Sequence, residues 1–322
     1  MSSKAVLLMA YGTPDRLEDV EAYFTHIRGG RTPSPDAIAN LVARYERVGG
    51  GTPLRRISEE VRDALEASLR AAAEPYRVYL GMKHWHPYIA DTMVRMRDDG
   101  ITDVTCIALA PHCSRMSVGA YCEAADQANR ALGSPFALHL VTSWYDEPRF
   151  IEMMANSVRS ALLRFPQAER DDVAVVFTAH SLPERIRTWG DAYEAELAES
   201  SAQVAREARI GPWRFAWQSA GGTHEPWIGP DVLEELEVIR QERVRNVLLV
   251  PIGFVCDHLE VLYDIDIEAK EKARSLGMRL ERTALPNASP AFIRVLTDVV
   301  RGRSITGRGE RLNHGTPDRR PA

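Results

Sequence analysis

Residues 250–268 read VPIGFVCDHLEVLYDIDIE, and this stretch decides the predicted fold. The apolar run 247–250 predicts a buried strand, because short apolar runs bounded by turn residues fit a sheet that is covered on both faces. Pro251 and Gly253 end that strand, and a helix is expected to follow. Open parallel sheets bind their ligands at the carboxyl ends of the strands. The stretch therefore predicts an α/β protein with a ligand site at this turn.

The expected helix carries three acidic residues, Glu260, Asp264 and Glu268, spaced by four positions. Side chains with that spacing share one helical face, and each like-charged pair costs a few tenths of a kcal/mol. One interpretation is a solvated acidic stripe. The other is a path for a divalent cation, because hard cations prefer oxygen ligands and because Asp257 and His258 stand at the head of the column. The position directly after a strand favours the cation path.

The composition is typical of a globular protein, with 45% hydrophobic and 26% charged residues in a chain of 322. That length predicts two domains. The net charge of -5 gives no basic footprint for nucleic acid, and no apolar run reaches the roughly 18 residues of a membrane span. Four scattered cysteines do not form a secreted disulfide framework, so free thiols and a cytoplasmic location are expected. They are Cys106, Cys113, Cys122 and Cys256.

Short apolar runs alternate with amphipathic segments, and this alternation predicts βαβ units with parallel sheets and right-handed crossovers. The predicted strands are 5–10, 77–81, 104–110, 136–142, 173–178, 213–218, 247–250 and 279–283. The predicted helices are one capped by Asp15, then 35–48, 58–73, 87–97, one after Ser117, 147–164, 191–208, 230–241, the acidic segment and 290–300. These elements divide the chain into domains 1–143 and 144–302. The tail 303–322 is rich in Arg, Gly and Pro and is expected to be disordered.

Three of the apolar strands are followed by a histidine: His84, His112 and His180. A lone histidine in such a place is most often a structural hydrogen-bonding group. Three of them at the carboxyl ends of strands, facing a column of carboxylates, favour a functional role for at least one. His180 is the strongest candidate because the segment Ser181–Glu184 turns the chain directly after it.

Other candidate binding residues surround the same predicted cleft. Tyr11 ends the first strand, where it is either a buried ring with a satisfied hydroxyl or a phenolic ligand. Arg28 and Arg44 are either surface cations or partners for substrate carboxylates. Trp217 and Trp227 add aromatic surface for a flat apolar ligand, although Trp217 also fits a core position. The sequence lacks a G-x-G-x-x-G turn, a Walker loop and a G-x-S-x-G elbow, which disfavours a dinucleotide enzyme, a P-loop enzyme and a serine hydrolase.

Six motifs together resemble those of the ferrochelatase family, in the family's order and spacing over about residues 5–300. They are Tyr11-Gly12-Thr13-Pro14, Arg44-Tyr45-Glu46, Gly50-Gly51-Thr52-Pro53-Leu54, Ala179-His180-Ser181-Leu182-Pro183, Trp217-Gln218-Ser219 and the segment Gly253–Glu260. The resemblance implies two Rossmann-like domains with a porphyrin cleft between them. It also implies insertion of Fe(II) into the macrocycle. The segment around Tyr11 resembles the branch of the family that acts on coproporphyrin III rather than protoporphyrin IX.

The resemblance implies a role for each matched residue. Tyr11 would be the axial ligand to iron in the product, and His180 and Glu260 would bind the incoming Fe(II). Asp264 and Glu268 would stand behind them. The residues implied to contact the tetracarboxylate macrocycle are Arg28, Arg44, Tyr45, Thr52 and Tyr121. Thr52 departs from the serine usual in the family but keeps the hydroxyl.

No organic cofactor is expected, and Fe(II) is a substrate. Some members of the family carry a [2Fe-2S] cluster on cysteines near the C-terminus, but the present tail has no cysteine, so no cluster is expected. The expected partners are coproporphyrin III, Fe(II) and a downstream haem-pathway enzyme that receives the product, with no nucleic acid and no membrane span. Three alternatives remain open: a protoporphyrin IX ferrochelatase, a chelatase placing cobalt or nickel in another tetrapyrrole, and a non-catalytic porphyrin carrier.

Overall fold

A computed structural model of the protein describes residues 3–74, 76–221 and 225–302, which form two β-sheets flanked by helices. The first half comprises β1 (Lys4–Ala10), α1 (Val20–Ile27), α2 (Pro35–Arg47), α3 (Leu54–Ala71), β2 (Arg77–Met82), α4 (Ile89–Asp98), β3 (Asp103–Ala108), α5 (Val118–Ala131) and β4 (Ala137–Val141). The second half comprises α6 (Pro148–Leu162), β5 (Val173–His180), α7 (Tyr193–Ala208), β6 (Trp213–Gln218), α8 (Val232–Gln241), β7 (Asn246–Val250), a π-helix (Val261–Ala269), α9 (Lys270–Ser275), β8 (Arg279–Arg282) and α10 (Pro290–Val300).

The two sheets have the same strand order. The first runs β2-β1-β3-β4 and the second β6-β5-β7-β8, and every neighbouring pair is parallel. β1 and β5 therefore occupy equivalent positions. The predicted α/β class, with one parallel sheet in each half, is confirmed.

Both faces of the central strands are buried, and alternate residues of each strand belong to different cores. In β1, Val6 and Leu8 face a core shared with the second half, whereas Leu7 faces a core confined to the first half. In β5, Phe177 faces the shared core and Val176 faces the core of the second half alone. Continuous apolar runs are the pattern that such doubly covered strands require.

The last helix belongs to the shared core. α10 packs against α3 and α6, and Ser68 of α3 forms a hydrogen bond of 3.0 Å with Thr297 of α10. The two sequence halves are thus tied together by the end of the described chain. The tail 303–322, expected to be disordered, lies outside the described residues.

The prediction of a helix capped by Asp15 was wrong. The first α-helix begins at Val20, after a short 3₁₀ turn. The Asp15 carboxylate instead accepts hydrogen bonds from the Arg55 guanidinium at 2.8 Å and from Trp85 Nε1 at 3.2 Å. These partners lie far along the chain, so the local sequence could not reveal them. α3 also begins earlier than predicted, at Leu54.

The acidic segment was expected to be an α-helix, and it is a π-helix that continues into α9. A π-helix forms hydrogen bonds between residues five apart, and such turns are rare and frequent at functional sites. Its turn is wider than that of an α-helix, yet residues four apart still lie close to one turn from each other. The three acidic residues therefore keep a common face.

Candidate active site

A cleft opens where the carboxyl ends of β1 and β5 approach each other. It consists of two adjoining cavities of about 270 and 690 Å³, a size range typical of small-molecule sites. Tyr11, Tyr45, His180 and Glu260 line both cavities, so the two form one space.

Two glycines allow the backbone to form this cleft. Gly12 has φ +103°, and a Cβ there would lie 2.8 Å from the backbone nitrogen of Trp85. Gly253 follows β7, and a Cβ there would lie 2.7 Å from the Cβ of Ala179. The chain after β7 can therefore approach β5 only with glycine at this position.

His180 presents an unprotonated nitrogen toward the cleft. Its Nδ1 lies 2.5 Å from the carbonyl oxygen of Ser181, which can only accept, so Nδ1 carries the proton and Nε2 has a free lone pair. Burial lowers the pKa of His180 below its ordinary value, although the nearby Glu260 carboxylate acts in the opposite direction. The imidazole is therefore held neutral, ready to accept a proton or to coordinate a metal.

Glu260 lies beside two imidazoles. Burial acts to raise its pKa, but the nearby His258 side chain, together with the Arg44 guanidinium, holds the pKa below the ordinary value of a glutamic acid. His258 Nε2 is 3.3 Å from Glu260 Oε2, while His258 Nδ1 donates to the carbonyl oxygen of Cys256 at 2.7 Å. An ionised carboxylate next to a neutral imidazole can hold a divalent cation.

The opposite wall of the cleft is formed by tyrosines. Tyr11 keeps 39% of its surface exposed, and its ring packs against His84 with centroids 4.6 Å apart. The surrounding protein and the Glu260 carboxylate raise the pKa of Tyr11. Burial likewise raises the pKa values of Tyr45 and Tyr121. The phenols of this wall are therefore neutral.

Three of the predicted macrocycle contacts line the same cavity as Tyr11: Tyr45, Thr52 and Tyr121. A hydroxyl network joins the first two, since Thr13 Oγ1 lies 2.9 Å from Thr52 Oγ1 and 3.4 Å from the Tyr45 hydroxyl. Thr52 thus contributes its hydroxyl to the wall. A serine at this position would contribute the same group.

Arg44 and Asp264, for which the sequence suggested separate substrate and metal roles, are bonded to each other. The Arg44 guanidinium contacts the Asp264 carboxylate and lies 4.5 Å from the centroid of the Tyr263 ring. Ser219 Oγ also donates to Asp264. Burial raises the pKa of Asp264 to about 7, against the opposing effect of Arg44. Only Nη2 of Arg44 is engaged by this carboxylate, which leaves other N–H groups of the guanidinium for a substrate carboxylate.

The remaining predicted residues fall into two groups. Glu268 lines the larger cavity together with Glu260 and Asp264, so the acidic column faces the cleft. Arg28 is exposed at the end of α1 and is not among the described residues that line either cavity. Asp257 does not face the cleft, because its carboxylate accepts hydrogen bonds from Arg282 at 3.0 Å and from Asn287 at 2.7 Å.

The histidines after the first-half strands differ from His180. His112 is buried, and its Nε2 lies 2.8 Å from Ser200 Oγ. Burial lowers the pKa of His112 to about 3, so it is a neutral structural group. His84 lies beside Tyr11 and forms a hydrogen bond of 3.2 Å between its Nδ1 and that of His26. Burial also lowers the pKa of His84 to about 3.

Two cleft residues were missed by the sequence reasoning. Lys83 lines the inner cavity 5.6 Å from the ring centroid of Tyr121, and burial lowers its pKa. Its position directly after β2, at the carboxyl end of a strand, could have identified it as a cleft residue. Tyr193 lines the same cavity and donates through its hydroxyl to the carbonyl oxygen of His180 at 3.1 Å. Nothing in the sequence near Tyr193 indicated that contact.

Comparison with known proteins decides the family. A family model described as Ferrochelatase matches residues 3–304. The chain belongs to the ferrochelatase family. A ferrochelatase from Herpetosiphon aurantiacus is 49% identical over 305 residues, covering 94% of this chain and 100% of the relative. A protein named coproporphyrin III ferrochelatase, from Geobacillus kaustophilus, is 43% identical over 298 residues, covering 92% and 94%.

Solved structures share the fold of this ferrochelatase at low sequence identity. The sirohydrochlorin chelatase SirB from Bacillus subtilis subspecies spizizenii, in complex with cobalt, aligns with a TM-score of 0.52 at 10% identity, covering 94% of this chain and 95% of that one. SirB from Bacillus subtilis with Fe³⁺ aligns with a TM-score of 0.56 at 10% identity, covering 94% and 96%. Both support the two-sheet architecture.

Two further findings concern metals and membranes. Within the described ranges, no three His, Cys, Asp or Glu side chains lie together in an arrangement that could hold a metal ion. None of the described helices combines the length and apolarity needed to cross a bilayer.

Proposed function

We propose that this ferrochelatase inserts Fe(II) into coproporphyrin III, with the two walls of the cleft carrying different parts of the reaction. The observation that carries the proposal is the neutral His180 beside the ionised Glu260, in the same cleft as Tyr11 and its aromatic neighbours. Relatives that are 41–43% identical and carry the coproporphyrin III ferrochelatase name support this substrate.

Metal insertion requires removal of two pyrrole protons and replacement of the metal's water ligands by ring nitrogens. His180 Nε2 has a free lone pair that can accept the two protons one at a time, and its lowered pKa lets it release the first to solvent before it takes the second near neutral pH. Glu260 contributes an oxygen ligand of opposite charge to the metal. Few fixed protein ligands are an advantage here, because the metal must leave them for the ring.

The tyrosine wall is proposed to hold the flat macrocycle. Tyr11 then supplies a phenolic oxygen as axial ligand once the iron is in the ring, while Tyr45, Thr52 and Tyr121 contact the macrocycle. Arg28 and Arg44 are proposed partners for the propionates, and Arg44 would bind one through the N–H groups that Asp264 does not occupy. Four propionates on coproporphyrin offer more partners for these cations than the two on protoporphyrin.

The acidic column is proposed to lead iron inward, from Glu268 past Asp264 to Glu260. All three line the larger cavity, which is the feature that a path requires. Fe(II) is the cargo of this path, and we propose no organic cofactor and no iron–sulfur cluster. We also propose that the enzyme works in the cytoplasm and passes its product to a downstream haem-pathway enzyme.

Anaerobic turnover of purified enzyme tests the proposed function. Fe(II), Co(II) and Ni(II) are each supplied with coproporphyrin III or protoporphyrin IX, and metalloporphyrin formation is followed by absorbance. We expect insertion of Fe(II) into coproporphyrin III, with protoporphyrin IX poorer by about one to two decades, the effect of one charge-assisted Arg–carboxylate pair. Equal rates with both porphyrins would assign the enzyme to protoporphyrin. Binding without insertion of any metal would indicate a carrier.

A further inference from the structure

The beginning of α7 contacts both walls of the cleft. On one side, the Tyr193 hydroxyl donates to the carbonyl oxygen of His180 at 3.1 Å. On the other side, side chains at or before the first turns of α7 bind residues 112–115, which follow β3 in the first half. α7 is therefore a physical link between His180 and the first-half wall.

Glu196 makes a partly buried link to two chain segments. Its Oε2 accepts hydrogen bonds from the backbone N–H of Cys113 at 2.6 Å and from Ser143 Oγ at 2.8 Å. Ser143 Oγ also lies 3.2 Å from the carbonyl oxygen of Pro111. One carboxylate oxygen thus fixes the two chain segments that follow β3 and β4.

Asp191 makes a second link just before α7. Its Oδ2 accepts from the backbone N–H of Arg115 at 2.8 Å and from Ser114 Oγ at 3.1 Å. Its Oδ1 accepts from the backbone N–H of Tyr193 at 3.0 Å, so the same carboxylate orients the tyrosine that touches His180.

The held segment leads directly into the cleft. Met116 and Ser117 line the inner cavity, and Tyr121 follows on α5. A displacement of residues 113–115 would move this part of the wall relative to His180. The distance between the walls decides how well a flat ring is gripped, because dispersion contacts weaken over a gap of less than 1 Å.

We propose that Glu196 and Asp191 are positioning residues that set the spacing between His180 and the wall carrying Met116, Ser117 and Tyr121. Through that spacing they determine the affinity of the enzyme for porphyrin. The proposal rests on the proposed function, since it requires a porphyrin in the cleft. Neither carboxylate is among the residues that line the cleft, so neither needs to contact the substrate.

The electrostatic setting of Glu196 is consistent with a positioning role. Burial raises its pKa to about 7, and the nearby acids Asp146 and Asp191 act in the same direction. The Cys113 thiol beside it also has a raised pKa, caused first by burial, and Arg115 opposes that change. Glu196 therefore stabilises the position of the segments around Cys113 and Ser143 through its hydrogen bonds, and not through a charge on the protein surface.

The test uses Glu196→Ala, Glu196→Gln and Asp191→Ala in the full chain. For Glu196→Ala and Asp191→Ala we expect KM for coproporphyrin III to rise about tenfold, a loss of binding comparable to that of one charge-assisted hydrogen bond. kcat and KM for Fe(II) should change less than KM for porphyrin, because the His180 and Glu260 side chains themselves are kept. Glu196→Gln keeps an acceptor oxygen for Cys113 and Ser143 and should restore wild-type KM.

Glu199→Ala is the matched control, because Glu199 lies on the same helix and its carboxylate accepts exposed hydrogen bonds from Tyr145 at 2.8 Å and from Gln203 at 3.3 Å, neither of which involves residues 112–115. A lowered kcat with unchanged porphyrin KM, or the same change in the control, would overturn the proposal. Porphyrin Kd is measured in parallel by fluorescence quenching, which needs no iron. A wild type that binds coproporphyrin but inserts no metal refutes the proposed function alone, whereas a Glu196→Ala protein with wild-type Kd refutes the positioning role.

Discussion

β1 and β5 occupy equivalent positions in two sheets of the same strand order, yet the residues at their ends differ in chemistry. β1 leads into Tyr11, a phenol whose surroundings raise its pKa. β5 ends in His180, an imidazole whose pKa is lowered by burial. Low polarity acts on both groups and keeps both neutral. The same architecture and the same physical effect thus produce a weak acid on one wall and a free base on the other.

The neighbours of each residue extend this difference. Tyr11 is surrounded by aromatic and hydroxyl groups, which suit a flat macrocycle. His180 has the Glu260 carboxylate and the acidic column beyond it, which suit a cation. We therefore propose that the repeated fold divides a two-substrate reaction, with the ring on one wall and the metal on the other. Each prediction below separates binding of the ring from delivery of the metal.

The largest expected effect is that of His180→Ala. Loss of a positioned base costs about 10²- to 10⁴-fold, so kcat should fall by that range while coproporphyrin still binds with wild-type Kd. Single-turnover absorbance and fluorescence quenching measure the two quantities. His139→Ala, an exposed histidine on β4, is the control. Retention of most of the wild-type rate, or loss of the folded state, would make His180 structural.

Glu260→Gln should have the next largest effect. The amide keeps the shape of the side chain but removes the charge that faces the metal, so we expect kcat to fall about 10- to 100-fold. Porphyrin binding should not change. Glu271→Gln is the control, since Glu271 is exposed on α9 and pairs with Arg47. A Glu260→Gln enzyme with wild-type kcat and wild-type Fe(II) dependence, like the control, would reduce the acidic column to a solvated face.

Arg44→Ala and Arg28→Ala test the cations assigned to the macrocycle. Each should raise KM for coproporphyrin III by about tenfold and raise it less for protoporphyrin IX. Arg44→Ala should also change KM for Fe(II), because it frees the Asp264 carboxylate, whereas Arg28→Ala should not. If neither variant alters the preference between the two porphyrins, the propionates are bound elsewhere, and Lys83 is the next candidate.

The smallest expected effect concerns pH. Because burial lowers the pKa of His180, its imidazole stays neutral below pH 6.5 in the folded enzyme. The acid limb of kcat/KM for porphyrin should therefore lie below the ordinary histidine pKa, and the rate should change less than about threefold between pH 7.5 and pH 6.5. A limb centred at or above pH 6.5 would mean that His180 is not shielded from water.

The sequence predicted the fold class because both sheets are built from local signals. A strand was predicted at the place of each strand that the described residues contain, and β6 and α10 were predicted to the residue. His180 was found because it directly ends such a run. The site residues that the structure brings together around Tyr11 were identified by resemblance to the family, and their catalytic roles remain predictions.

What the sequence could not show depends on partners that are distant in the chain. Arg44 and Asp264 are 220 positions apart, so their mutual ion pair was invisible and each was assigned a separate role. Asp15 was read as a helix cap for the same reason. The π-helix was missed because its residues also fit an α-helical pattern, and only the packing around it selects the wider turn.

Absorption spectroscopy of the ferric coproporphyrin complex tests the division of roles most directly. The complex is formed by adding the ferric product to wild type, Tyr11→Phe and His180→Ala, so that no turnover is needed. The account predicts a tyrosinate-type band in wild type and in His180→Ala, and its loss in Tyr11→Phe. A band that survives in Tyr11→Phe but disappears in His180→Ala would place the iron ligand on the β5 wall and contradict the account.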